Sequence, residues 1–264
     1  MVSPLNLLGL KKKKRTKTQG TLDTQVPLTD DQVRAAWTAA SWLIDYPGDE
    51  LVERLPLLER VIAGLPDRPR QGLQDLITAL DTGDIIDLRS DYVETFDTRR
   101  RGCLYLTYFS NGDTRRRGMA LLKIKEQYRN AGLEVSDDEL PDHLTYVLEF
   151  GAGHSLVEAA NILTTNRAGL ELLRLHLEEQ ESVWHGAIDA VCATLPALQG
   201  PDIEAVQKLA AEGPEDELVG LGGYGDGSED MPPMDMTPYA TSPPPQSPAG
   251  KTFIPLDSLK GRSS

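Results

Sequence analysis

The chain has 264 residues, of which 39% are hydrophobic and 26% are charged, so it is long enough to bury a sizeable core. No apolar run approaches the roughly 20 residues that a membrane-spanning helix needs, which predicts no transmembrane segment. The 41 acidic and 27 basic residues give a formal net charge of -14. Such a field repels phosphate backbones and argues against nucleic acid as a main partner.

Charge and composition divide the chain into three parts. Residues 1–28 form a basic leader, with six bases and no acid in the first 20 positions. The apolar patch of the leader precedes its lysines, the reverse of the order in a secretory signal, so we expect a cytoplasmic protein without stable membrane association. From residue 212 to residue 264 the chain is rich in Gly, Pro, Ser and acid, a composition that cannot assemble a core. We therefore expect a folded domain over 29–211 between two disordered tails.

The pattern of the central part predicts helices throughout. Apolar residues recur at helical spacing, and no stretch shows the sustained alternation of a half-buried strand, so we expect an all-α fold, a single compact helical bundle. Thr29 and Asp30 are cap candidates for the first helix, which ends at 46–48. Asp113 and Gly132 are cap candidates for the clearest helix. Further helices are predicted at about 49–63, 69–81, 84–96, from 141 through 150, and at 154–166, 168–180, 182–195 and 202–211.

Two segments carry the most distinctive composition. Arginine triplets occupy 99–101 and 115–117, and charge runs of this kind either face water or form a local basic patch. Between them, 104–109 reads LYLTYF, an apolar and aromatic run that either completes the core or lines a groove for a partner helix. The two cysteines, Cys103 and Cys192, are too few for a cysteine-based zinc site and are expected to be buried thiols.

Catalytic and adaptor functions remain as alternatives at this point. No phosphate-binding loop and no nucleophile signature are present in the sequence. The strongest catalytic alternative is a helical metal-dependent phosphohydrolase, because imidazole and carboxylate groups suit a divalent ion. The usual metal-binding dyad of such enzymes is His followed by Asp, whereas in this sequence Asp142 precedes His143. The metal-site candidates for this alternative are Asp97, Asp142, His143 and His154.

A third possibility is an adaptor that binds through the acidic tail, in which Phe253 and Ile254 are the candidate docking element.

Four motifs in register resemble the NarJ-type respiratory nitrate reductase assembly chaperones, which belong to the all-helical superfamily of TorD-like and DmsD-like molybdoenzyme chaperones. The resemblance is dense over about residues 90–152 and does not extend to the leader or the tail. The motifs that carry it are YVETFD at 92–97, LYLTY at 104–108, GDTRRRG at 112–118, and LPDHL at 140–144 with LEF at 148–150.

The resemblance implies a chaperone rather than an enzyme, with no cofactor or metal of its own. It implies binding to the catalytic (alpha) subunit of nitrate reductase through the amino-terminal segment of that subunit. The client would be kept competent for insertion of the molybdenum cofactor and iron–sulfur centre, and its docking on the membrane subunit would be delayed. Contact with molybdenum cofactor delivery proteins is a further implied partnership.

The resemblance also implies a client-binding site. Asp142 and His143 match the Pro-Asp-His turn of the family, which is associated with client recognition. As exposed polar residues on a connection they suit that role, although Asp142 is also a candidate cap for the helix that follows. Asp97 is a candidate partner for a nearby arginine that would fix the loop. The complete set of predicted client-binding residues is Tyr92, Asp97, Tyr105, Tyr108, Arg115, Arg117, Asp142 and His143.

Overall fold

The structure is a computed structural model that describes residues 22–135, 140–212 and 254–255. The expectations for residues 1–21 and for most of the tail, and the capping box that the spacing of Ser136 and Glu139 predicts, therefore lie outside the described residues. The described residues form the predicted all-α bundle. Their α-helices are α1 (Asp30–Leu43), α2 (Asp49–Ile62), α3 (Asp67–Thr82), α4 (Ile85–Tyr92), α5 (Leu106–Asn111), α6 (Arg115–Asn130), α7 (Leu144–Gly153), α8 (Leu156–Thr165), α9 (Arg167–Glu179), α10 (His185–Ala193) and α11 (Gly200–Glu212).

The helix boundaries follow local signals in the sequence. Thr29 caps α1 through a capping box with Gln32, as the cap prediction requires. Gly132 follows α6 with a φ of 82°, which is the left-handed conformation predicted for it. The start of α6 differs from the prediction: Thr114 is the cap, and the carboxylate of Asp113 instead lies 3.0 Å from the guanidinium of Arg117.

The predicted helix at 84–96 is not α-helical to its end. The α-helix ends at Tyr92 and continues as a π-helical turn, Val93–Asp97, in which the Thr98 amide donates to the Val93 carbonyl at 3.1 Å. A 3-10 turn, Arg100–Gly102, follows it. Gly102 packs so closely against the Thr95 carbonyl that a Cβ would collide with it. The wider turn and this glycine let the chain reverse direction before α5.

The core is built around α1, which packs against α2, α3, α7 and α10. Trp37 is fully buried, and its indole N–H donates to Thr194 Oγ1 at 2.8 Å. Helices α3 and α10 make backbone contact at Gly72 and Gly186. Such close approach fixes the relative position of the two helices, because no side chain separates their main chains.

Residues on both sides of the predicted domain make contacts with it. Leu28 is buried, and the Gln25 amide donates to the Leu195 carbonyl at 2.9 Å, so residues 22–28 pack on the domain. A two-residue strand β1 (Leu133–Glu134) pairs antiparallel with a second strand β2 (Ile254–Pro255) from the predicted tail. Among the described residues, every helix is too short or too polar to cross a bilayer.

The two cysteines differ in exposure. Cys192 is buried, as predicted, and burial raises the pKa of its thiol. The prediction is wrong for Cys103, which is only partly buried. The 3-10 turn places Cys103 between the core and the surface, directly before the segment that leads into α5.

Candidate functional site

Two sequence-distant motifs meet at the starts of α5 and α7. The Leu106 amide donates to the Asp142 carbonyl at 3.0 Å, and the Leu144 amide donates to the Leu104 carbonyl at 2.9 Å. These bonds form an isolated antiparallel bridge between Tyr105 and His143. The LYLTY motif and the Pro-Asp-His turn are therefore one structural unit, and the two helices that follow them begin side by side.

Asp142 lies inside this unit and is fully buried. Its Oδ2 accepts hydrogen bonds from the Thr107 amide at 3.1 Å and from the Thr107 hydroxyl at 2.5 Å. Thr107 is in the first turn of α5, so Asp142 caps α5 across the bridge, where its charge also meets the positive end of the helix.

This position overturns two expectations for Asp142. It is buried rather than exposed, and its side chain caps α5 rather than the helix that follows it. The cap position of α7 is His143, which makes no side-chain capping bond. The physical reason is the bridge, which turns the Asp142 side chain inward toward the free amides of α5.

Arg117 connects this buried unit to the surface. Its guanidinium lies 5.5 Å from the ring centre of Tyr105 and 5.9 Å from that of Tyr108, within cation–π range. It also lies 3.9 Å from Asp142 Oδ2, at the outer limit of an ion pair. Arg117 therefore contacts both tyrosine rings and lies close to the buried carboxylate.

A cleft of about 310 Å³ opens in front of the bridge. The rings of Tyr105 and His143 meet edge to face at 5.1 Å on its wall, and Cys103 and Tyr108 also line it. Burial raises the pKa of Tyr105, with the charge of Asp142 as the second cause, so the phenol stays neutral. The remaining lining residues are Tyr92, Phe96, Asp97, Thr98, Arg99, Arg100 and Leu104.

Tyr92 and Asp97 take different positions in this cleft. Tyr92 is buried, its hydroxyl donates to the Ile44 carbonyl at 3.2 Å, and its ring packs on Phe96 at 4.8 Å. It forms the base of the cleft. Asp97 is exposed, and the arginine that fixes this turn, Arg99, contacts Glu94 at 2.5 Å instead. The expected loop-fixing ion pair therefore uses Glu94.

The structure thus brings together most of the predicted client-binding residues. Five of them line the cleft: Tyr92, Asp97, Tyr105, Tyr108 and His143. Asp142 and Arg117 lie behind the cleft, and Arg115 is exposed on the first turn of α6. Sequence reasoning missed Thr107, which holds Asp142, and Cys103, which lines the cleft.

The cleft offers apolar and aromatic contacts with a mixed charge. Arg99, Arg100 and Asp97 all line it, so the strong negative charge of the whole chain is not concentrated there. Its volume is at the lower end of the range of about 300–1,000 Å³ that is typical of ligand pockets. It suits anchor side chains of a peptide that lies across the opening, rather than an enclosed helix.

The four residues proposed for a metal site do not all come together: Asp97 and His143 both line the cleft, but the other two candidates lie elsewhere. His143 and His154 stand at opposite ends of α7, about 16 Å apart along the helix axis. Asp142 is buried and engaged with Thr107. In the part of the chain that the structure describes, no three His, Cys, Asp or Glu side chains are grouped as metal ligands.

Comparisons with a family model and with individual proteins all point to the same family. A family model described as "Nitrate reductase delta subunit" matches residues 63–190. The probable nitrate reductase molybdenum cofactor assembly chaperone NarJ of Bacillus subtilis is 30% identical over 168 residues, which cover 63% of this chain and 90% of that protein. NarJ of Escherichia coli K12, a chaperone of the same description, is 30% identical over 179 residues, or 67% of this chain and 75% of that protein.

A third relative contains a similar segment within a longer protein. The nitrate reductase-like protein NarX of Mycobacterium tuberculosis H37Rv is 32% identical over 171 residues, which cover 65% of this chain but only 26% of that protein. The two NarJ alignments cover most of their proteins, and the motifs at the bridge and cleft fall within the matched family segment. The chain belongs to the NarJ family of nitrate reductase molybdenum cofactor assembly chaperones, which are assembly factors and not enzymes.

Proposed function

We propose that this protein binds the unfinished catalytic subunit of a respiratory nitrate reductase through the amino-terminal segment of that subunit. It keeps the client competent for insertion of the molybdenum cofactor and the iron–sulfur centre, and it delays docking on the membrane subunit until loading is complete. The work is done in the cytoplasm, with transient contact to the proteins that deliver the cofactor.

The observation that carries this proposal is the cleft in front of the Tyr105–His143 bridge. It is built by the motifs on which the family likeness depends, and its walls offer aromatic rings, which are strong anchors for peptide side chains. A client segment that buries apolar side chains there would be shielded from other contacts without any bond being made or broken. Release then requires only that the folded client withdraw those side chains.

The buried Asp142–Thr107 pair gives the cleft a rigid frame. Two hydrogen bonds to one carboxylate oxygen fix the start of α5, which carries Tyr108, relative to the start of α7. A preformed frame lowers the conformational entropy that binding would otherwise cost. We therefore assign Asp142 a positioning role and His143 a direct contact with the client.

Calorimetry with a synthetic amino-terminal peptide of the catalytic subunit tests the proposal. The full-length protein should bind the peptide, and His143→Ala should weaken binding about tenfold by removing one anchor contact. His154→Ala is the matched control, because it changes the same residue type at the other end of α7 and should leave the affinity within about twofold. Failure of the wild-type protein to bind would contradict the proposed client. Equal losses in the two variants would contradict the proposed site.

A further inference from the structure

Helix α6 has an exposed face that combines basic and large apolar side chains. The helix contains six basic residues and one acidic residue, in a chain whose net charge is -14. Met119 and Leu122 are 61% and 58% exposed on this face. This face therefore offers another segment both apolar and charged contacts. The exposed basic residues of the face are Arg115, Arg116, Lys123 and Arg129.

The tail of the same chain has the complementary chemistry. Residues 213–253 contain seven acidic residues and one basic residue, together with apolar methionines at 231, 234 and 236. A segment with this composition matches both the charge and the apolar character of the α6 face. Association of the two oppositely charged segments is favoured because they belong to one chain, and the linker keeps their effective concentration in the millimolar range.

The strand pair gives the tail a fixed point beside α6. Strand β1 begins at Leu133, three residues after α6 ends at Asn130, and β1 packs against α6. Leu133 lies opposite Pro255, and Glu134 lies opposite Ile254. The 41 residues between Glu212 and Ile254 span at most about 140 Å, so chain length does not restrict their path.

We propose that the exposed face of α6, continued by the edge of β1, is the docking surface for this protein's own acidic tail, residues 213–255. The β1–β2 pair anchors the end of the tail, and its acidic residues lie along the bases of α6. The docked tail covers Met119 and Leu122.

The position of Ile254 opposite Glu134 allows a variant that weakens the strand pair specifically. Ile254→Glu places a carboxylate directly opposite Glu134, and like charges in that position oppose pairing. Adding Glu134→Lys restores a favourable cross-strand pair. Thr241→Glu is the matched control, because it adds the same charge to the tail away from the strand.

Zero-length carbodiimide cross-linking of the full chain measures the docking. We expect amide cross-links between Lys123 and tail carboxylates at 215–235, normalised to those of Lys208, which lies close to the tail in sequence. Ile254→Glu should lower the Lys123 yield about threefold to fivefold, and Glu134→Lys in that background should recover it, whereas Thr241→Glu should not lower it. An unchanged yield in Ile254→Glu would overturn the proposal. Cross-links that form mainly between isotopically distinct chains in a mixed sample would also overturn it.

Discussion

Replacement of Asp142 tests whether this residue frames the cleft or touches the client. Asp142→Ala removes the acceptor for both Thr107 hydrogen bonds and leaves a buried amide and a buried hydroxyl without partners. Each hydrogen bond to a charged group is worth about 1.5–3 kcal/mol. Part of this loss is offset because Asp142 Oδ1 is buried and has no hydrogen-bond partner among the described residues, so its desolvation cost disappears.

The net expected destabilisation is about 3 kcal/mol, which corresponds to a fall in Tm of about 6–12 °C for a domain of this size. Thr107→Val removes only the hydroxyl bond and should cost about half as much. Thr107→Ser keeps the hydroxyl donor and serves as the control. Thermal unfolding followed by circular dichroism measures the stability, and calorimetry at a temperature where every variant is folded measures client binding.

The positioning role predicts that stability and binding change together across this series. Asp142→Ala should weaken both properties most, Thr107→Val should weaken both to a smaller extent, and Thr107→Ser should leave both near the wild type. Loss of client binding in Asp142→Ala with wild-type stability would refute the reasoning, because it would mean that the carboxylate contacts the client directly.

Two further predictions concern the bundle itself. Gly186→Ala places a Cβ 2.6 Å from the Cα of Gly72, so we expect the free energy of unfolding measured in urea to fall by about 1–3 kcal/mol. Gly118→Ala is the control, because nothing lies within 4 Å of the added Cβ, and it should not destabilise the protein. Destabilisation by Gly118→Ala would contradict the packing argument. Burial, followed by the charge of Arg99, lowers the pKa of His176 below its ordinary value of 6.5. The unfolded chain therefore binds a proton at His176 more readily than the folded protein does. The stability of the fold should fall as the pH drops below about 6.5. The Tm difference between pH 7.5 and pH 5.5 should therefore be smaller in His176→Gln, and an unchanged difference would contradict this assignment.

Helix content and most helix ends are predictable from the sequence because their causes are local. The capping box at Thr29 and the left-handed Gly132 are fixed by residues within one turn of the helix end. The change to a π-helical turn after Tyr92 is not predictable in this way. This turn packs closely against Gly102 at the Thr95 carbonyl, a contact that forms only when the chain folds back.

The candidate site is predictable in its members but not in their roles. The family likeness identifies Tyr105 and His143, but their pairing across 38 positions of sequence is a tertiary contact with no local signal. Asp142 has the sequence environment of a surface turn, and only the bridge shows that it is buried against Thr107. Strand β1 was missed because two residues are too few to establish an alternating pattern.

Protection of Cys103 by the client peptide is the most direct test of the proposed binding cleft. Cys103 lines the cleft and is partly buried, and burial raises the pKa of its thiol, so it should react slowly with a maleimide. Cys192 is buried and provides an unreactive internal reference. Mass spectrometry of the labelled full-length protein should show that saturating amino-terminal peptide slows modification of Cys103 about tenfold or more. An unchanged labelling rate with the peptide bound would contradict a client site in this cleft.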